Sequence, residues 1–411
     1  MLPKASLFAS HAGPTAQCHS SNDFHPLPVW RISLSHCFLR IHRRQASGDD
    51  DISRTILYLP TGSILDNNFT EYDARVIEAL RDFSNATIVT VHYRLGNGFS
   101  YPTPVHDVLA AYDYVQSELA EQSDKTAPIS RRGRKQRSIS KIGVCGQLLG
   151  GSLAAMLALT ESKMGENQIA AAAVHNPIVD WVFPELEASS RVLEPTNEAG
   201  ELIEDEPPSA APGHGIKRRR PRRPKKNPPS WTQHGANSTV PTSALLRART
   251  ALFASPAAYF SPFASPTLFL RSPGADPPPP SDPGPLPAGP PPARRKVHRV
   301  FPPSASTLRL PHMLVSLSDA SPLRDQGAEF ARLLRRSVER DVRRGRSGYA
   351  VVDAPDDDVG GEEARVEGAA REAEERIRVW VREGSGVWGE EGGAWRADVR
   401  EVGEWFGDVL G

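Results

Sequence analysis

Residues 146–152 read Gly-Gln-Leu-Leu-Gly-Gly-Ser. Upstream, Ser140-Lys-Ile-Gly-Val-Cys145 is a short apolar run that predicts a strand. Downstream, residues 150–162 are almost wholly apolar and predict a buried helix. Glycines four apart between a strand and a helix form the G-x-S-x-G pattern of a nucleophile elbow. Its turn is so sharp that helix and strand approach too closely for a Cβ at the glycines. The residue at the tip, presented to solvent and substrate, attacks an acyl carbon when it is serine. Here the tip is Leu148, which has no nucleophilic atom. Two reactive heteroatoms lie nearby. Ser152 is four residues on, about one turn into the helix, where it is expected to be a small packing residue. Cys145 precedes the turn and is expected to be a buried hydrophobe, since a reactive thiolate needs exposure beside a base.

The elements that must hold this turn come from periodicity. Strands are predicted at residues 55–60, 86–92, 140–145, 169–174, 312–317 and 376–381. Helices are predicted at 72–83, 103–122, 150–162, 323–338 and 395–410, with a solvated helix over 360–375. Strands alternating with helices imply parallel pairing in a doubly wound α/β sheet with helices on both faces. The alternation stops near Trp181 and returns at His312. Of the chain's 38 prolines, 24 lie within residues 201–303. One domain is therefore built from the flanking parts. The expected divisions are a disordered or targeting segment 1–50, a first half-domain 51–185, an insertion 186–304 and a second half-domain 305–411. The insertion is basic and Pro-rich. It is expected to be largely disordered because it buries too little apolar surface to offset ordering entropy. Residues 244–269 are the exception: Leu245, Leu246, Leu252, Phe253, Tyr259, Phe260 and Phe263 predict an apolar piece, with a short helix at 243–253.

Composition excludes several classes. No run of about 18 apolar residues predicts a membrane span. Three scattered cysteines, Cys18, Cys37 and Cys145, argue against a disulfide framework or a zinc ribbon. No cofactor or metal is implied. Formal net charge is zero, so attraction to nucleic acid must be local. The block from Lys217 to Lys226, eight of ten residues basic, is such a place. Without interleaved aromatics it reads as a solvated linker, and the sharper alternative is a nuclear-localisation or nucleic-acid patch. The Arg-rich cluster 131–137 would sit on the rim opposite the elbow. Residues 1–48 carry Arg31, Arg40, Arg43 and Arg44 against one acid, Asp23. That composition suits a mitochondrial transit segment or a disordered tail. The expected compartment is cytoplasmic, with nuclear and mitochondrial as alternatives.

Residues 146–154 resemble the G-D-S-A-G-G-x-L-A elbow of the α/β-hydrolase fold-3 esterases, the hormone-sensitive-lipase-like branch. Residues 91–112, Val-His-Tyr-Arg-Leu through Val-His-Asp-Val-Leu-Ala-Ala-Tyr, resemble that family's D-Y-R-L…D-V-x-A-A-Y block. Ser321-Pro-Leu-Arg-Asp325 resembles its D-P-L-R-D. The resemblance covers about 55–185 and 305–410, implies the α/β-hydrolase fold, and puts residues 181–272 in the cap position. It also implies carboxylic-ester hydrolysis by a Ser-His-Asp triad, and here the chain departs. The nucleophile position is Leu148 and the acid position is Ser321. The oxyanion loop, H-G-G-G in the family, is Pro60-Thr61-Gly62-Ser63, and Pro60 has no N–H. No histidine follows His312, although the base follows the acid in chain order. His92 replaces the Asp of D-Y-R and is expected to be a hydrogen-bonded structural residue. Asp319, two residues before the acid position, is expected to be a solvated loop residue.

Three functions follow as expectations. The chain is a catalytically degenerate esterase relative, a pseudoenzyme binding a small apolar or ester-like ligand or scaffolding unknown protein partners. Alternatively it is an active hydrolase using other residues, with Ser152 or Cys145 as rescue nucleophile. The third reading is a nuclear or nucleic-acid-associated protein acting through residues 217–226.

Overall fold

The computed structural model describes residues 29–34, 37–42, 54–62, 69–96, 98–126, 141–163, 168–183, 228–275, 296–346, 360–384, 387–390 and 394–411. The basic block 217–226, the cluster 131–137 and Ser63 lie outside the described residues.

Eight strands form one sheet: β1 (Val29–Ser33), β2 (Phe38–His42), β3 (Arg54–Leu59), β4 (Thr87–His92), β5 (Lys141–Gln147), β6 (Gln168–His175), β7 (His312–Ser318) and β8 (Ile377–Arg382), in the order β1-β2-β4-β3-β5-β6-β7-β8. From β4 to β8 every pairing is parallel. The predicted strands therefore stand within two residues of their expected bounds. The strands are short runs of β-branched and apolar residues, buried on both faces, as a parallel sheet covered by helices requires.

Helices cover both faces. On one side α1 (Phe69–Ser84) packs beside the last helix, α9 (Trp395–Leu410), over Ile56, Tyr58, Cys145, Ala173 and Leu314. On the other lie α2 (Thr103–Thr126), α3 (Leu148–Thr160), α7 (Arg324–Arg343) and α8 (Gly360–Arg376), over Leu57, Leu59, Val144, Val174 and Val315. The helix predicted to be solvated, α8, buries Ala369 and Ala373. Among the described residues no helix is long and apolar enough to cross a membrane.

Within the segment 1–50, expected to be disordered or targeting, the described residues 29–34 and 37–42 contain two strands. Residues 29–33 and 38–42 pair antiparallel and extend the sheet along β4. Each strand has only five residues, and Arg31, Ser33, Arg40 and His42 interrupt the apolar run. Alternation alone buries Leu39 on the covered face.

The insertion also contains more structure than expected. Four short elements, α4 (Ser230–Gln233), α5 (Thr242–Leu252), α6 (Pro256–Tyr259) and a 3₁₀ turn (Pro266–Phe269), fold over the carboxyl ends of the strands. Aromatic rings bind this cap to the segment after β6. Phe183 stacks on Trp231 with centroids 4.5 Å apart, and Trp181 meets Phe253 edge-on at 5.4 Å. Arg271, 2% exposed, donates to Asp180 at 2.7 Å and anchors the end of the cap segment.

Candidate active site

The elbow is built as its glycines require. Leu148 opens α3 with φ +50°, in the left-handed region that costs an L-residue about 1–2 kcal/mol. A Cβ on Gly150 would lie 2.0 Å from the carbonyl oxygen of Leu59, and one on Gly146 2.6 Å from the backbone of Gly150. Gly151 is less constrained: its Cβ would stand 3.1 Å from Gly146 O. The tip carbonyl of Leu148 accepts from Ile178 N–H at 3.2 Å. One expectation fails at the tip. The Leu148 side chain is not presented to solvent but is 0% exposed. The cap covers this end of the sheet, and an aliphatic side chain gains by joining the core that includes Leu149 and Leu153.

The oxyanion loop leaves β3 beside the elbow. Pro60 offers no N–H, and its carbonyl accepts from the Tyr93 hydroxyl. The Thr61 N–H is committed to Asp73 Oδ2 at 2.9 Å. Gly62 has φ +81°, and a Cβ there would strike Leu95 at 2.3 Å. Asp73, on α1, is the centre of a buried polar network. Its Oδ1 accepts from Tyr58 at 2.6 Å and from the Thr61 hydroxyl at 3.3 Å. Burial pushes its carboxyl up to about 6, against the hydrogen bonds from Tyr58 and Thr61 that favour the charge.

The acid position lies between β7 and α7. Ser321 is buried, its Oγ accepting from Leu323 N–H at 3.2 Å. Asp319 was expected to be solvated. It instead accepts from Gly384 N–H at 3.1 Å, and its own N–H donates to Arg382 O, tying the exits of β7 and β8 together.

The base side of the site lies in the connection from β8 to α9, which brings Trp388 to the elbow strand. Trp388 N–H donates to Gln147 Oε1 at 2.8 Å, and Gln147 Nε2 donates to Trp388 O at 3.2 Å. The indole stacks on the ring of His175, centroids 4.4 Å apart and 14° from parallel. His175 is 2% exposed and pairs with Ser316 Oγ at 3.0 Å and Asn176 Nδ2 at 3.2 Å. Asp73, Gln147 and Trp388 were not singled out in the sequence. Apart from the position of Trp388 after the last strand, no local signal marks any of them.

The rescue candidates are deep in the fold. Ser152 is 3% exposed, with Oγ 3.5 Å from the cap carbonyl of Ala264. The Cys145 thiol is 0% exposed, and burial, aided by the charge of Asp73, holds its pKa far above the ordinary thiol value. His92 does not have the full hydrogen bonding expected: its Nε2 lacks a partner and its ring stacks on Phe38 at 4.3 Å.

The cap closes over these loops. Ser230 N–H donates to Asp325 at 2.7 Å, Asp325 N–H returns to Ser230 Oγ at 3.1 Å, and Asn237 donates to Ala320 O at 2.8 Å. Thr239 meets Glu390 at 3.1 Å, joining the cap to the Trp388 loop.

The geometry agrees with comparisons to known proteins. A family model described as alpha/beta hydrolase fold matches residues 57–211. No curated protein matches. Among solved structures, carboxyl esterase 2 from the mycorrhizal fungus Tuber melanosporum is similar at 14% identity and TM-score 0.53, covering 96% of this chain and 90% of that one. A hyperthermophilic esterase from Pyrobaculum calidifontis is similar at 16% identity and TM-score 0.50, covering 93% and 84%. A thermostable esterase from Pseudomonas putida is similar at 15% identity and TM-score 0.52, covering 93% and 83%. The chain has the α/β-hydrolase fold, and residues 57–211 match the sequence model described by that fold.

Proposed function

We propose that this chain has lost Ser-His-Asp ester hydrolysis and acts as a binding or scaffold protein on an esterase-type fold. The carrying observation is Leu148: a leucine occupies the strained tip of the elbow and is wholly buried. A triad that loses one member can keep residual catalysis from an intact oxyanion hole. Here the Thr61 N–H of the oxyanion loop is already taken by Asp73, and Pro60 has none to give. Ser321 stands at the acid position, and the loop on the base side presents Trp388. An active hydrolase built on Ser152 or Cys145 would need its nucleophile exposed beside a base, and both are buried.

The test is turnover of p-nitrophenyl acetate, with a fluorophosphonate probe run in parallel, on the full chain and on Leu148→Ser. The expectation is no rate above buffer and no labelling in either, because restoring a hydroxyl supplies neither base nor oxyanion donors. Turnover by the unmodified chain that disappears in Ser152→Ala or Cys145→Ala would refute the proposal and identify the nucleophile. Turnover that survives both substitutions would refute it as well.

A further inference from the structure

A cavity of about 840 Å³ lies where β2 and β4 face α1, and neither Leu148 nor Leu149 lines it. Its floor follows from strand register. Phe38 is opposite His92, Arg40 opposite Thr90 and His42 opposite Ile88. The two-residue period of a strand sends Leu39 to the other, buried face and this polar set toward α1. A polar stripe on the inner face of a sheet is unusual, because buried polar atoms are normally paired. Among the described residues, three atoms here have no hydrogen-bond partner: Thr90 Oγ1, His42 Nε2 and His92 Nε2. Thr90 is 1% exposed.

Charge decides what these groups suit. Arg40 and Arg81 line the cavity from the sheet and from α1, and Arg31 lies over the Phe38 ring at 4.2 Å. Arg94 also lines it but is paired with Asp107 at 2.7 Å, and Arg81 touches Asp82 at 3.1 Å. Of the lining carboxylates, Asp73 is engaged by Tyr58 and Thr61, while Glu78 stands on the exposed side of α1. Burial lowers both imidazole pKa values, and the neighbouring cations lower them further. For His42 these are Arg81 and Arg40; for His92, held near 4, they are Arg40 and Arg31. The floor therefore sets the Arg40 guanidinium beside unused polar atoms, with an apolar rim of Ile77 and Leu95. The volume is that of a small-molecule site.

We infer that this cavity binds a small organic anion, a carboxylate or phosphate monoester head on an apolar body. Thr90, His42, His92 and Arg40 meet the head, and Phe38 and Ile77 meet the body. The cavity borders the oxyanion loop through Pro60 and Gly62 and reaches Asp73, but anion binding there does not rest on the proposed loss of hydrolysis.

Isothermal calorimetry on the full chain tests it, with benzoate and phenyl phosphate as probes and phenol as the uncharged control. At least one anion is expected to saturate, more tightly than phenol, and which one does so separates a carboxylate from a phosphate site. Arg40→Gln and His92→Phe should each weaken that binding about tenfold, the effect of losing one charge-assisted contact. Arg40 is exposed, so its variant reports even where the half-buried His92 substitution fails to fold. The inference is overturned if neither anion saturates at about 10 mM, if phenol binds as tightly, or if Arg40→Gln leaves affinity unchanged.

Discussion

Replacing Leu148 by alanine and by glycine separates what the elbow costs from what its side chain contributes. Leu148→Ala keeps the left-handed backbone and removes most of a fully buried side chain, so a loss of about 2–5 kcal/mol is expected. Leu148→Gly removes one methyl more. Inside an ordinary helix, glycine is about 1 kcal/mol worse than alanine. At φ +50° the balance reverses, because an L-residue carries a steric cost of about 1–2 kcal/mol that glycine does not. The glycine variant should therefore equal the alanine variant or exceed it by up to about 1 kcal/mol. Ala155, fully buried in the interior of α3, supplies the control. Ala155→Gly should lose at least about 1 kcal/mol. Urea unfolding followed by tryptophan fluorescence measures all three variants. If Leu148→Gly falls about 1 kcal/mol below Leu148→Ala, as the control does, the tip is an ordinary helical residue and the elbow argument fails.

Two further outcomes follow from the buried charges. Asp73 has a folded-state pKa of about 6 against an ordinary 3.8, so the folded chain holds the proton more tightly than the unfolded one. Its contribution to stability is thus present at low pH and is lost as pH rises from about 4 to 6, by on the order of 3 kcal/mol. Asp73→Asn should flatten that part of the stability–pH curve, and an unchanged slope between pH 4 and 6 would sink the assignment. Arg271→Met should destabilise by about 3–5 kcal/mol, because it leaves Asp180 buried without its partner. Adding Asp180→Leu should recover much of that loss in thermal unfolding; no recovery would mean that the pair contributes through packing alone.

The parallel sheet was legible because each central strand is an apolar run between turn residues and each except β6 is followed by a helical pattern. β1 and β2 were not, because an edge ribbon buries one face only. Over five residues, Leu39 and Ile41 are too few to stand out among Arg40 and His42. The elbow was legible from glycine spacing, since Gly146 and Gly150 answer to a local steric demand. The groups around it were not. Trp388 reaches Gln147 across 241 positions of sequence, and Asp73 meets Thr61 only because α1 packs against the end of β3. Such partners are created by topology and leave no periodic trace. The cap was underestimated for a related reason. Its aromatic residues are sparse in sequence but converge in space on Trp181 and Phe183.

On the proposed reading, the elbow keeps its shape for reasons of packing that do not depend on the chemistry at its tip. Gly150 is required by the carbonyl of Leu59, 2.0 Å from where its Cβ would be, and that requirement comes from packing α3 onto β3. It holds whether the tip is serine or leucine. The tip itself is constrained only in backbone conformation, so its side chain can change once nothing demands a nucleophile. Burial then rewards an apolar choice, and Leu148 joins the core beneath the cap. The same logic applies around the site. Trp388 and His175 form a stacked, hydrogen-bonded pair at the end of the sheet, and Asp73 ties down the loop that begins at Pro60. Each of these contacts ties a loop at the carboxyl end of the sheet to the core beneath it.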